Sequence, residues 1–183
     1  MKVKLGISMR HVHLTDEDCH TLFGKDLTIK NELSQPGQYA ANETVILKNN
    51  DRELKNVRVL GPNREYTQVE ISRTDSYFLK MNPPVRDSGD LEDAETITII
   101  GPVGTVTKKA AIIADRHIHI NREDREKYNL LNDEYTIKIN TEKGGLLEHV
   151  KIKELPNSCF ELHLDSDDGN AFLLNQGDEV EII

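Results

Sequence analysis

A short stretch occurs twice in this chain at a fixed spacing, which restricts the fold to one assembled from two copies of a unit. Arg10-His11-Val12-His13-Leu14 returns as Arg116-His117-Ile118-His119-Ile120, each position 106 residues later. The offset persists beyond the histidines: Thr15 falls on Asn121, Glu17 on Glu123 and Asp18 on Asp124. Self-similarity of this kind predicts repeated supersecondary structure.

Upstream of the first copy, Val3, Leu5, Ile7 and Met9 alternate with Lys2, Lys4, Gly6 and Ser8, the period of a half-buried strand. His11 and His13 share the parity of the apolar residues and are expected to continue the inward face. Ala111, Ile113, His117 and His119 repeat the arrangement. Residues i and i+2 of a strand share a face with Cα atoms about 6.6–6.8 Å apart, so two imidazoles can converge on one metal ion. Thr15 followed by Asp18, and Asn121 followed by Asp124, read as helix N-caps with an acid three residues on. The free N–H groups of such a helix start offer an anion site.

A lone His-x-His in a strand is more often incidental than a metal site. Here four of seven histidines form two register-matched pairs, and His163 sits in the strand-like run Glu161-Leu162-His163-Leu164-Asp165. That concentration favours metal ligation. His20 and His149 have no such setting and read as solvated. Glu70, in the alternating run Thr67 to Ser72, reads by itself as a solvated strand carboxylate.

Composition bounds the function. Lys and Arg number 23 against 32 Asp and Glu, a formal charge of −9, which argues against sequence-independent nucleic-acid binding. An anionic ligand would need local cations, and Arg10 and Arg116 stand beside the histidine pairs. No apolar run is long enough for a membrane span, and no signal-peptide pattern precedes the first strand. Cys19 and Cys159 read as two reduced thiols in a cytosolic protein. Strand-like runs at 27–30, 44–47, 57–60, 67–72, 94–100, 105–114, 135–139, 147–152, 159–164 and 180–183 are separated by Gly/Pro turns such as Ser34-Gln35-Pro36-Gly37 and Gly61-Pro62-Asn63. The helix from Asp16 should stop at Gly24. Many short strands and few helices predict a mainly β chain of small barrels or sandwiches.

Several longer motifs add a resemblance. They are Ser8-Met9-Arg10-His11-Val12-His13-Leu14, Glu32-Leu33-Ser34-Gln35-Pro36-Gly37-Gln38 and Glu70-Ile71-Ser72-Arg73-Thr74-Asp75. Pro83-Pro84-Val85-Arg86-Asp87-Ser88-Gly89-Asp90, Arg116-His117-Ile118-His119 and Glu161-Leu162-His163-Leu164-Asp165 follow in order. Together they resemble the phosphate propanoyltransferase family, the phosphotransacylases of propanediol-using microcompartments.

The resemblance implies two small, closely packed β-barrel domains with short capping helices and a metal site in the cleft between them. Residues 1–9 plus 115–183 would form one barrel and 10–114 the other. It implies reversible transfer of an acetyl or propanoyl group between coenzyme A and phosphate, two zinc ions per chain, and a homodimer. By motif, His11, His13 and Glu70 would hold one zinc and His117, His119 and His163 the second. Arg64 would be the catalytic cation near phosphate, with Arg10 and Arg116 as weaker phosphate contacts.

Two departures stand out. No room is left before the first strand for the amphipathic encapsulation segment of many members, so a cytoplasmic enzyme feeding an acyl kinase is expected. Asp167-Asp168-Gly169-Asn170 replaces a more usual Glu-Ala step. The rival readings are a His-x-His metal-dependent hydrolase, whose (β/α)₈ barrel runs to about 250 residues, and a non-catalytic zinc-binding barrel.

Overall fold

In the computed structural model, which describes residues 1–183, the elements run β1 (Lys2–Ser8), β2 (His11–His13), α1 (Asp16–Phe23), β3 (Ile29–Glu32), β4 (Tyr39–Asn49) and β5 (Arg52–Gly61). Then come β6 (Gln68–Glu70), α2 (Arg73–Leu79), β7 (Val85–Arg86), β8 (Glu95–Ile100), β9 (Thr105–Ala114) and β10 (His117–Ile120). The chain ends with α3 (Arg122–Lys127), β11 (Glu134–Ile139), β12 (Gly145–Glu154), β13 (Glu161–Asp165), α4 (Ser166–Ala171) and β14 (Glu179–Ile182). Two compact units result: Met1–Met9 with Asp115–Ile183, and Arg10–Ala114.

Each unit is a closed six-stranded barrel. In the discontinuous unit the order is β1-β13-β10-β12-β11-β14, with β1/β13 and β10/β12 parallel and the other pairs antiparallel. In the Arg10–Ala114 unit, β9-β6-β2-β5-β4-β8 closes with the same sequence of parallel and antiparallel pairs. β3 and β7 are added at its margins, on β4 and β9. The expected mainly β architecture of two barrels is what the chain adopts. No helix is long and apolar enough to cross a membrane.

The expected continuous strand into each histidine pair is not found. β1 stops at Ser8 and β2 starts at His11, in the other unit, and Met9 is exposed. The break also reverses the face. Val12 pairs with Val59 and Val69 inside one barrel core, and Ile118 with Leu162 and Ile152 inside the other. The histidines on either side of Val12 and Ile118 therefore point away from those cores, not into them. Parity could not be carried across a point where the chain changes barrel.

α1 begins with Thr15 accepting from the Asp18 backbone and ends at Gly24, whose left-handed φ of 66° lets its N–H reach the His20 carbonyl. That stop is as expected. α2 and α4 were not anticipated, although each follows the same rule. Ser72 caps Asp75, and Asp165 caps Asp168. The spacing of cap and acid was legible; unlike α1 and the 6-residue α3, these two helices lie outside the 106-residue offset that drew attention to the caps.

Glu43 gives the larger barrel a measurable acid response. Burial alone would raise its carboxyl, but hydrogen bonds from Lys25 and Thr28 outweigh burial and lower it from 4.5 to about 2. Its side chain is 5% exposed beside Lys25 at 2.8 Å. A depressed folded value stabilises above the unfolded value and is lost as pH falls through the folded one. Stability is expected to drop between pH 4.5 and about 2, by at most about 3 kcal/mol at 1.36 kcal/mol per unit. Denaturant titrations of wild type and Glu43→Gln across that range check this; equal slopes would refute it.

Candidate metal centres

The Arg10–Ala114 unit places three ligand-type side chains on adjoining strands. His11 lies opposite Glu70 across the β2/β6 pair. Its Nε2 is 3.3 Å from Glu70 Oε2, and His13 Nε2 is 3.9 Å from Glu70 Oε1. The two rings meet edge to face, 4.9 Å between centroids. Glu70, expected by itself to be solvated, is only 9% exposed.

Burial would raise the Glu70 carboxyl, but the charge and hydrogen bond of His11, with His13, hold it well below the usual range. His13 is lowered by burial first, then by the neighbouring positive charges of His11 and Arg64. The direction for both is clear: an ionised carboxylate beside a neutral His13. The Leu60 backbone acts weakly on the His13 ring, yet His13 Nδ1 is buried without a partner in hydrogen-bond geometry.

Polar groups tie Glu70 to Arg64. Gln68 Nε2 donates to Glu70 Oε1 at 2.6 Å and to Ser88 Oγ at 2.9 Å, while Gln68 Oε1 accepts from the Gly89 backbone at 2.8 Å. Arg64 donates from the same terminal nitrogen to Ser88 Oγ at 3.2 Å and to the Tyr66 hydroxyl at 3.3 Å. Its backbone N–H is pinned to the Leu14 carbonyl at 2.7 Å. Arg64 is half-buried, so its cation adjoins the cluster without being sealed from ligands. Sequence reading missed Gln68 and Ser88; the signal for Gln68 was its i−2 position on the face of Glu70.

In the discontinuous unit, His117 lies opposite His163 across β10/β13. His117 Nδ1 donates to the Asp115 carbonyl at 2.8 Å, and His119 Nδ1 reaches Ser158 Oγ at 3.4 Å. The carbonyl contact leaves a lone pair on His117 Nε2, and His119 Nε2 faces it at 3.1 Å. A proton carried by His119 Nε2, or a cation held between the two nitrogens, satisfies that lone pair. The His163 ring completes the group, its centroid 5.3 Å and 4.5 Å from those of His117 and His119. His20 and His149 are exposed, as expected.

Both groups fit a transition-metal ion. Within each, the three ligand atoms lie within 4.8 Å of one another. Nitrogens bound to tetrahedral zinc at about 2.0–2.1 Å would be roughly 3.3–3.4 Å apart, close to the His117–His119 spacing. Neutral imidazole and ionised carboxylate are also the forms that metal binding requires. Three protein ligands leave coordination positions open, the pattern of a catalytic site.

Arg10 and Arg116, the weaker phosphate candidates, each hold a carboxylate. Arg10 holds Asp75 through two nitrogens, at 2.9 and 2.7 Å, and Arg116 holds Asp168 at 2.6 and 2.8 Å. Each acid belongs to the first turn of a helix that follows the third-ligand strand. Both arginines therefore clamp strand to helix, with the guanidinium edges that would grip phosphate given to carboxylates.

Fold and sites together define a mainly β protein with two histidine-rich groups of the kind that hold the metal in metal-dependent enzymes. A family model described as phosphate propanoyltransferase matches residues 4–175. A phosphate propanoyltransferase of Thermotoga maritima is 49% identical over 98% of this chain and 88% of its own length. Those of Rhodopseudomonas palustris and Priestia megaterium are 44% and 46% identical, over 99% and 96% of this chain and 82% and 83% of theirs. The chain belongs to the phosphate propanoyltransferase family, and it is a phosphate acyltransferase.

Proposed function

We propose that this enzyme catalyses acyl-CoA + phosphate ⇌ acyl phosphate + CoA on acetyl or propanoyl groups, with zinc in both ligand sets. His11, His13 and Glu70 would hold one ion, and His117, His119 and His163 the other. The observation that carries this reading is the pairing of an open three-ligand set with a half-buried arginine, Arg64, joined to it through Ser88 and Gln68.

The chemistry follows from charge. A phosphate oxygen attacks the thioester carbonyl carbon, the C–S bond breaks, and CoA departs as thiolate before taking up a proton. Zinc, when bound, supplies Lewis acidity to stabilise a thiolate and to neutralise phosphate. Arg64 binds phosphate through its planar fork and steadies the oxyanion as charge develops. Ser88 and Tyr66 hold that fork in place, and the Leu14 carbonyl holds its backbone. In a chain of charge −9, such a local cation is what admits an anionic substrate. Arg10 and Arg116 enter the proposal as clamps that orient the ligand strands, not as phosphate contacts.

A cytoplasmic homodimer with CoA and phosphate as its partners completes the proposal; fractionation and sedimentation check those two parts. The decisive assay is thiol release from acetyl-CoA and propanoyl-CoA with metal-loaded protein. Release that requires phosphate and yields acyl phosphate is expected. Release without phosphate would make the protein a hydrolase, and no release would leave a zinc-binding barrel.

A further inference from the structure

The two ligand sets differ in one matched respect. Two residues before the third ligand, on the same strand face, the Arg10–Ala114 unit carries Gln68 and the other unit carries Glu161. Gln68 lies opposite His13 and Glu161 opposite His119, so the positions are equivalent. Both are buried, at 0% and 8% exposure. Gln68 Nε2 donates to Glu70 Oε1 at 2.6 Å. His163 Nε2 meets Glu161 Oε2 at 2.8 Å, the contact of an imidazole N–H donating to a carboxylate oxygen. Each residue is thus the chemical complement of its ligand: an amide donor against a carboxylate, a carboxylate acceptor against an imidazole.

The neighbouring strand follows the same distinction. Beside His163, β1 has Gly6. A Cβ there would stand 3.2 Å from the Glu161 carboxyl carbon and 3.3 Å from His163 Nε2. Beside Glu70, the corresponding residue of β9 is Ile112. Glycine in a strand interior often marks close approach; here a Cβ would crowd the imidazole–carboxylate pair by a few tenths of an ångström.

We propose that Gln68 and Glu161 are equivalent positioning residues, each keyed to its ligand, that fix which oxygen of Glu70 and which nitrogen of His163 face the metal. The inference rests on the metal-site reading above and adds the i, i+2 pair as the working unit. With Nε2–H given to Glu161, His163 presents the lone pair of Nδ1. Partners that orient a ligating group typically change metal affinity about 10–100-fold when removed.

The test uses the full chain, stripped of metal and titrated with Zn²⁺ or Co²⁺ against a chelator. Glu161→Met, read in a His13→Ala background so that only the three-histidine site reports, is expected to bind about 10–100-fold more weakly. At full loading its cobalt spectrum should report the same coordination number as the same background with Glu161 intact. Gln68→Glu, read in a His119→Ala background, should weaken the other site. Adding Glu70→His and Ile112→Gly to it rebuilds the second unit's pair in the first, and should recover most of the loss. Far-UV circular dichroism accompanies each variant, and the swap stands as an independent test should Glu161→Met misfold. Unchanged affinity in folded Glu161→Met overturns the proposal, as does a swap no better than Glu70→His alone. A cobalt spectrum at full loading whose intensity reports a changed coordination number overturns it too, since Glu161 would then be a ligand itself. A wild-type chain that takes up no metal overturns the metal sites as well, and is told apart because wild type itself fails.

Discussion

Arg64→Ala is expected to lower kcat for phosphate-dependent CoA release by about 10²–10³-fold, the usual cost of removing one preorganised donor to a developing oxyanion. The change deletes a guanidinium and little else. The Arg64 backbone stays tied to the Leu14 carbonyl, and Ser88 keeps its bond from Gln68, so the ligand set loses no direct partner. Metal content should therefore stay at its wild-type value while KM for phosphate rises. Arg64→Lys should restore only part of the rate, because an ammonium keeps the charge but not the planar fork. An Arg64→Ala enzyme with wild-type kcat at saturating phosphate would remove Arg64 from the reaction.

Loss of metal is expected to cost more. Chelation, or His119→Ala, should reduce turnover by about 10³-fold or more, since Lewis-acid stabilisation is worth several kcal/mol and each 1.36 kcal/mol is a decade in rate. His119 is the sharper probe. It is buried, it faces the Nε2 of His117 at 3.1 Å and its ring packs against that of His163, so its removal dismantles one ligand set and leaves the other intact. One equivalent of metal should be lost, measured by elemental analysis beside the rate. Zinc added back should rescue the chelated wild type and fail to rescue the variant. Full activity in metal-free protein would end the zinc proposal.

The histidine pairs were legible because strand, pair and helix cap recur at one offset. The third ligands were not legible in that way, and the barrel order gives the reason. Glu70 and His163 occupy equivalent positions, yet 163 − 70 = 93, as do 161 − 68, 165 − 72 and 168 − 75. β1 and β2 map onto β9 and β10 with a spacing of 106, whereas β6 and α2 map onto β13 and α4 with a spacing of 93. A single offset misses half of the duplicated unit. Moreover the equivalent ligands are different residues, Glu and His, so residue matching would not align them. His163 stood out by its strand-like run among the other histidines, whereas only the resemblance placed Glu70 in the ligand set. The inward direction assigned to the histidines failed for a related cause: alternation describes one strand, and Ser8 and His11 belong to different barrels.

That exchange between barrels has a consequence for how the protein is made. β1 is made before every other strand of its barrel and finds its partners only in β13 and β14, so Lys4 must wait for Glu161 and Glu179. The Arg10–Ala114 segment is contiguous and can close during elongation, whereas the other barrel stays open until the last strand is released. Long loops cost entropy before their contacts return any stability. Vectorial synthesis therefore imposes an order: one half matures early, and the other leaves a sticky edge exposed for most of translation.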